Sequence, residues 1–343
     1  MKNNLAVVIG RFQPLHKGHE HLIQQALEVS ENVLILVGSA NEPRTPKNPW
    51  TFEERKKMIL STFSTVTVSP IQDHPYSDTD WVVEVQSVVQ DCLKQKEIKG
   101  CDVVLVGHHK DDSSYYLNHF PQWKFHETQF LSIYNSKCMD ATRVRELMFE
   151  RDLIFVKGVV NDSVFNIMHA FTESEDYSNL LEDYKHIKEY KKAWAAAPYP
   201  PTFLTVDSVV VQSGHVLMVR RGCSPGLGLW ALPGGFLNQN ETMLDGAIRE
   251  LYEETSIKVQ EKIIRRCVDS SKVFDAPGRS LRGRTVTQAF LIKLDDNEGL
   301  PKIKAADDAA LAWWISISEI KNMRDQIFED HAHIIDEMLK LVK

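Results

Sequence analysis

The sequence predicts an α/β chain of two domains: a doubly wound parallel sheet in the first half and an α+β domain in the second. Three observations carry that reading. Before about residue 150, short continuous apolar runs alternate with stretches of helical apolar spacing, the pattern of βαβ units. At residues 195–201 the run Ala-Ala-Ala-Pro-Tyr-Pro-Pro forbids regular structure. Beyond it, β-type runs flank one acidic helix.

Residues 5–9 form a buried-type strand, and their apolar run is too short for a signal peptide. Residues 18–30 follow as a helix with Leu22, Ile23, Ala26 and Leu27 inward. Residues 33–37 are a second buried strand, and residues 102–106 repeat the pattern. Such alternation gathers ligands at the carboxyl ends of the strands. From 163 to 194 the pattern turns helical and strongly charged. After the proline-rich break come strands at 203–212 and 216–220, the acidic helix, a strand at 285–294 and a terminal helix from about Ile317. No internal repeat or low-complexity tract is present. The expected boundaries are 1–192 for the first domain (core to about 150, helical extension to 192), 193–201 for a linker and 202–343 for the second domain.

A chain of 343 residues accommodates two cores, and 43% apolar with 25% charged residues fits a globular protein outside the membrane. The net charge of −7 gives no general reason to expect nucleic acid as a partner. The five cysteines are scattered without a C-x-x-C pair, which suggests reduced thiols in a cytoplasmic setting rather than disulfides or zinc. No segment is long and apolar enough to span a bilayer, so no membrane partner is expected; self-association is left open.

Directly after the first strand stands Gly10-Arg-Phe-Gln-Pro-Leu-His-Lys-Gly-His19. His16 and His19 fall where a turn feeds a helix amino terminus, whose free amides and dipole favour phosphate, and Arg11 and Lys17 add positive charge. Two histidines there can donate hydrogen bonds to a phosphate whose charge builds during transfer. A bare H-x-x-H reads more simply as a solvent-facing pair; the H-x-G-H form after a βα turn favours nucleotide chemistry. G-x-G-x-x-G is absent, so this is no dinucleotide fingerprint.

The extended form G-R-F-Q-P-x-H-x-G-H resembles the nucleotidyltransferase α/β-phosphodiesterase superfamily, and within it the nicotinamide-mononucleotide adenylyltransferases. Asn48-Pro-Trp-Thr-Phe-Glu-Glu-Arg55, Gly107-His-His-Lys-Asp-Asp-Ser-Ser-Tyr-Tyr116 with Phe120-Pro-Gln-Trp123, and Thr142-x-x-Arg145 are similar to further segments of that family. Before Thr142 many members have Ser or Gly, where this chain has Asp140 and Ala141. The resemblance implies a Rossmann-like fold and attack of a mononucleotide 5′-phosphate on the α-phosphorus of Mg-ATP. It also implies His16 and His19 as catalytic residues, and Gly10, Arg11, Phe12, Lys17, Thr142 and Arg145 for ATP and its phosphates. On the mononucleotide side it implies Trp50, Arg55, Lys110, Asp111 and Tyr116. For Trp50 and Trp123, packing and ring stacking are both open; Lys110 and Asp111 read equally as a solvated loop pair.

In the second half, Gly235, Glu241, Arg249, Glu250, Glu253 and Glu254 stand in one fixed spacing. Three carboxylates at i, i+3 and i+4 meet on one side of a helix, with Leu244, Ala247, Ile248 and Leu251 on the neighbouring buried face. Like charges so placed disfavour a bare helix, so a divalent cation is the natural counter-charge, and oxygen ligands suit Mg²⁺ or Mn²⁺. An acidic helix alone is more often a solvated face. Here the spacing matches the Nudix box, G-x5-E-x7-R-E-U-x-E-E-x-G-U with U apolar, except that Ser256 stands for the last Gly, at a cost in stability but not in activity. That resemblance implies an α/β/α sandwich, Glu250, Glu253 and Glu254 as metal ligands, and Arg249 and Glu253 in catalysis. Residues 227–235, 274–287 and 306–314 are similar to the ADP-ribose pyrophosphatases, which implies Gly234, Gly235, Arg279 and Arg284 at ADP-ribose; Arg279, Arg282 and Arg284 read equally as a flexible basic loop.

The whole chain thus resembles bacterial bifunctional enzymes that join the two activities. The implied substrates are ATP, nicotinamide mononucleotide and ADP-ribose, giving NAD with pyrophosphate, and AMP with ribose 5-phosphate. The alternatives are nicotinate mononucleotide in front, and behind either another nucleoside diphosphate derivative or an ADP-ribose sensor. Intact carboxylates and the lack of a winged helix-turn-helix speak against the sensor.

Overall fold

A computed structural model of the chain describes residues 3–98, 102–109, 112–128 and 140–340. The chain divides into two compact units, Met1–Leu180 and Leu181–Lys343.

The first unit is built on β1 (Leu5–Gly10), α1 (Lys17–Val29), β2 (Val33–Val37), α2 (Phe52–Thr62), β3 (Thr67–Pro70), α3 (Asp78–Gln95), β4 (Val103–Gly107) and β5 (Lys124–Glu127). Its five-stranded sheet has the order β3-β2-β1-β4-β5, parallel throughout. β2 and β4 are buried at every residue, as a sheet covered on both faces requires. One side's core runs from Leu5, Val7, Leu34 and Leu36 to Val85 and Val89 of α3. Order reverses between β1 and β4, so the crevice at their carboxyl ends is the place for a ligand. α4 (Ala141–Phe149), α5 (Leu153–Val159), α6 (Asp162–Thr172) and α7 (Glu175–Ala193) complete the described helices of this half, α7 continuing into the second unit. The expected strands at 5–9, 33–37 and 102–106 and the helix at 18–30 agree with β1, β2, β4 and α1 to within one residue.

The second unit holds β6 (Thr202–Gln212), β7 (His215–Arg221), β8 (Trp230–Ala231), β9 (Gly234–Phe236), α8 (Met243–Thr255), α9 (Glu261–Arg266), β10 (Val268–Phe274), β11 (Arg284–Lys293), β12 (Ala309–Ser316), α10 (Ile317–Ile320) and α11 (His331–Lys340). Its mixed seven-stranded sheet runs β10-β11-β6-β7-β12, with β8 on β7 and β9 on β6. β6 and β11 are parallel and in register from Thr202 against Arg284 to Val211 against Lys293. α8 lays Ala247, Ile248 and Leu251 on Val206, Val210 and Leu217 of the sheet. The expected helix from Ile317 is interrupted: α10 stops at Ile320, and α11 begins only at His331. Among the described residues no helix is long and apolar enough to cross a membrane.

Candidate active sites

In the first unit the chain leaves β1 at Gly10 and reaches α1 through a loop in which Phe12 takes a left-handed conformation, φ 51°. His16 caps α1: its Nδ1 accepts from the Gly18 amide at 3.1 Å, which leaves the imidazole proton on Nε2. A Cβ at Gly18 would lie 3.0 Å from that ring. One turn on, His19 stacks on His16 with centroids 3.8 Å apart, and the tilted Phe12 ring lies 4.7 Å from it. Burial first, then His16, Arg11 and Arg145, push the His19 pKa well below its ordinary value, so its ring is neutral at pH 7. Its Nδ1 is buried without a hydrogen-bond partner among the described residues.

Around this pair the loops bring cations together. Arg145 of α4 is buried; it donates to the Gln13 carbonyl at 2.6 Å and to Thr142 Oγ1 at 3.1 Å. Burial and then Arg11 lower its pKa to about 10. Lys47 belongs to the same cluster: burial, then Arg11 and Arg145, lower its pKa, while Asp73 opposes them. Cations that depress one another beside few carboxylates form a site for a polyanion. Lys47 is not among the residues expected from the sequence; it lies just before the Asn48-Pro-Trp segment, with no spacing rule to single it out.

Several expected contacts have other duties. Trp50 is 1% exposed and packs on Phe171 at 5.6 Å, so it is a core ring rather than a stacking surface. Arg55, equally buried, donates to the carbonyls of Arg11 (2.8 Å), Gly38 (2.6 Å), Ser39 (2.9 Å) and Thr51 (3.2 Å). It ties together the loops after β1 and β2 instead of holding the mononucleotide. The Phe12 side chain backs His19 and does not serve as a phosphate contact. Lys17 gives its ammonium to the Gly158 carbonyl at 2.6 Å. Asp140 caps α4 by accepting from the Arg143 amide at 2.9 Å, so the departure from Ser or Gly uses an amide that an anion would otherwise take. Tyr116 meets Trp81 edge-on at 5.8 Å, and burial raises its pKa. Lys110 and Asp111 lie outside the described residues.

In the second unit, α8 starts at the Thr242 cap and ends at Ser256, which takes the left-handed conformation at φ 43°. Arg249 grips Glu241 with two bonds, 2.9 and 2.7 Å, and reaches Glu250 at 2.8 Å and Glu253 at 2.7 Å. These bonds, Glu241 foremost, raise the guanidinium's pKa and hold that of Glu241 down at about 2. The Glu250 carboxylate lies where a Cβ on residue 235 would be, 2.5 Å away, which explains Gly235. Burial raises the Glu250 pKa, with Glu253 and Asp307 adding to it. Glu254 is buried, accepts from the Gly234 amide at 3.0 Å, and is pushed up to about 8, chiefly by burial.

Glu250, Glu253 and Glu254 line a cavity of about 360 Å³ together with Arg221, Arg279, Arg282 and Phe328. Arg221 lies over the Phe328 ring at 4.1 Å, and Arg282 lies near Phe236 and Phe328 at 5.3 and 6.0 Å. Arg279 forms a two-bond pair with Asp330 at 2.9 and 2.6 Å. Burial opposes its charge, but Asp330 outweighs that and keeps its pKa high. Arg284 is different: it sits half exposed against Asp275, outside the cavity lining, so ADP-ribose contact is not its place. Arg221, at the end of β7, does line the cavity, and its position carried no sequence signal.

The donor set fits a hard divalent cation. It is oxygen alone, the Gly235 notch admits Glu250, and Glu254 is buried enough to hold a proton near neutrality unless another cation compensates it. Among the described residues no three such side chains already converge on one point, because Arg249 holds Glu250 and Glu253.

Comparison with known proteins follows the same division. A cytidylyltransferase-like profile matches residues 7–147 and a NUDIX domain profile residues 201–338. The nicotinamide/nicotinic acid mononucleotide adenylyltransferase of Acinetobacter baylyi is 37% identical over 188 residues, 54% of this chain and 95% of that protein. The ADP-ribose pyrophosphatase of Methanocaldococcus jannaschii is 26% identical over 164 residues, 48% of this chain and 85% of that protein. A bifunctional NMN adenylyltransferase/ADP ribose pyrophosphatase from Francisella tularensis superposes with a TM-score of 0.89 at 37% identity, covering 98% of this chain and 99% of that one. A second crystal structure from that organism, complexed with AMP and a Mn ion, gives 0.89 at 36% identity over 99% of this chain and 100% of that one.

Proposed function

The chain belongs to the family of bifunctional NMN adenylyltransferase/ADP-ribose pyrophosphatases, and from that premise we propose how each unit works. The first unit transfers the adenylyl group of ATP to nicotinamide mononucleotide; the second hydrolyses ADP-ribose to AMP and ribose 5-phosphate.

In the first unit a phosphate oxygen of the mononucleotide forms a bond to the α-phosphorus of ATP. The bond to the β-phosphate oxygen breaks, and pyrophosphate leaves. The substrate brings its own nucleophile, so the protein's work is placement and charge stabilisation. The observation that carries this reading is the Arg11, Lys47 and Arg145 cluster around a neutral His19. Arg145 and Lys47 meet the charge of the triphosphate, and the Nε2 proton of His16 is a hydrogen-bond donor for an oxygen whose charge grows.

In the second unit a divalent cation, Mg²⁺ in this proposal, polarises the diphosphate and its attacking water when bound. Glu250, Glu253 and Glu254 would hold it, consistent with the Mn ion in the Francisella tularensis structure. Arg249 keeps Glu253 and Glu250 aimed, and Arg221, Arg279 and Arg282 line the same cavity as partners for phosphate oxygens.

Purified protein with Mg²⁺ should give NAD and pyrophosphate from ATP plus nicotinamide mononucleotide, and AMP from ADP-ribose, read by chromatography. Absence of NAD at saturating substrates rejects the first activity; absence of AMP rejects the second. Nicotinate mononucleotide belongs in the same panel, because the Acinetobacter baylyi relative carries both acceptors in its name.

A further inference from the structure

Two polar side chains in the cavity of the second unit keep hydrogen-bonding capacity that the fold does not use. Asp207 of β6 and His331, the first residue of α11, both line it and are only 4% and 7% exposed. His331 Nδ1 accepts from the Leu232 amide at 2.9 Å, which leaves the imidazole proton on Nε2. Asp207 Oδ2 accepts from the Thr287 hydroxyl at 2.5 Å. The remaining atoms, His331 Nε2 and Asp207 Oδ1, stand 3.9 Å apart, too far for a hydrogen bond to each other. Among the described residues neither atom has a hydrogen-bond partner. A Cβ on residue 234 would lie 2.5 Å from Asp207 Oδ1, so the glycine there leaves that oxygen open. Arg279, whose charge Asp207 supports, gives its bonds to Asp330 instead.

We propose that Asp207 and His331 together recognise a sugar hydroxyl of the substrate and so help set the specificity of the second unit. The inference rests on the ADP-ribose hydrolysis proposed above. A donor and an acceptor at this separation can share one oxygen lying about 2.8 Å from each. That oxygen must accept from Nε2 and donate to Oδ1, and a hydroxyl does both. A phosphate oxygen only accepts, and it would meet the Asp207 carboxylate as a like charge. The diphosphate therefore belongs with the arginines and the metal ligands, and a pentose belongs with this pair. Both riboses of ADP-ribose carry such hydroxyls.

His331→Asn is the informative variant. Its side-chain oxygen can stand where Nδ1 accepts the Leu232 amide, while the Nε2 donor is gone. Three probes, assayed with Mg²⁺, tell the riboses apart: ADP-ribose, 2′,3′-dideoxyadenosine diphosphoribose, and the ethyl ester of ADP, which lacks the second ribose. The variant should lower kcat/KM for ADP-ribose about 10- to 100-fold, the weight of a hydrogen bond in a buried charged setting. On the analogue that lacks the bound hydroxyl it should stay within about threefold of the parent. Asp207→Asn, whose oxygen still accepts from Thr287, should show the same selectivity; if it fails to fold, His331→Asn decides alone. NAD synthesis and the melting temperature of His331→Asn should match the parent. A loss below about threefold on ADP-ribose, or an equal loss on all three probes, overturns the proposal. The equal loss would mark a contact with adenine or diphosphate, or a purely structural role. A parent enzyme inactive on ADP-ribose would instead reject the hydrolase reading itself.

Discussion

At the scale of single residues, chemistry and position separate. Arg55 has the right charge in the right motif, yet its guanidinium is committed to carbonyls of Arg11, Gly38, Ser39 and Thr51. Arg55→Ala should therefore lower stability by about 3 kcal/mol, the scale of several buried carbonyls left unpaired. Thermal denaturation checks this; a normal melting temperature with a raised KM for the mononucleotide would restore a ligand role. Gly235 shows the opposite case. Its place in the box was legible as a pattern, but the reason, a glutamate carboxylate where its Cβ would stand, needed coordinates. His16 and His19 were legible because a βα turn fixes the position of the helix start behind it. Lys47 and Arg221, in contrast, reach their sites from loops and strand ends that obey no short-range spacing.

At the scale of elements, α8 concentrates the most information. Its apolar face, its carboxylates and its irregular end could all be read from the alternation of residue types, and Ser256 does close the helix in the left-handed conformation expected of a glycine. Ser256→Gly should thus stabilise the second unit by about 1 kcal/mol, the penalty of a Cβ in that conformation, without altering hydrolysis. Calorimetry that found no gain would mean the neighbouring packing already offsets the strain. Glu254 gives the helix a pH dependence. Its folded pKa of about 8 lies above the ordinary 4.5, so its contribution is complete below about 4.5 and is lost as pH rises through 8. Metal-free protein should melt at progressively lower temperature over that window. Glu254→Gln should flatten the trend, and an unchanged slope in that variant would assign it to another group. Added Mg²⁺, a cation that takes the proton's place, should flatten it too.

At the scale of the whole molecule, the proline-rich run at 195–201 marked a break, but the compact units part earlier, inside α7. The charged run from 163 to 194 hides this, because its helical pattern does not say which turn packs on which core. Tyr177 donates to the Met148 carbonyl at 3.0 Å in the first unit, whereas Asp183, which reads as a solvated acid, is buried and accepts from the Gly226 amide at 3.0 Å in the second. Tyr190 and Trp194 meet Phe203 edge-on at 5.4 and 5.3 Å. A fragment of residues 181–343 should therefore melt several degrees above one of residues 202–343, in keeping with about 1–3 kcal/mol for a buried amide left unpaired. Equal melting temperatures would return the boundary to the linker.

The parallel pairing of β6 with β11 sets a timetable for synthesis. β6 opens its domain, but its partner along its length, from Thr202 against Arg284 to Val211 against Lys293, is translated about eighty residues later. A ribosome must release about two-thirds of that domain before these two strands can join, a late closure typical of distant pairings. The parallel sheet ahead of it is complete once β5 ends at Glu127, before β6 is made. A growing polypeptide can thus hold a finished NAD-making sheet while the ADP-ribose-cleaving one is still unjoined, and an interrupted message would yield the synthetic half without the hydrolytic one.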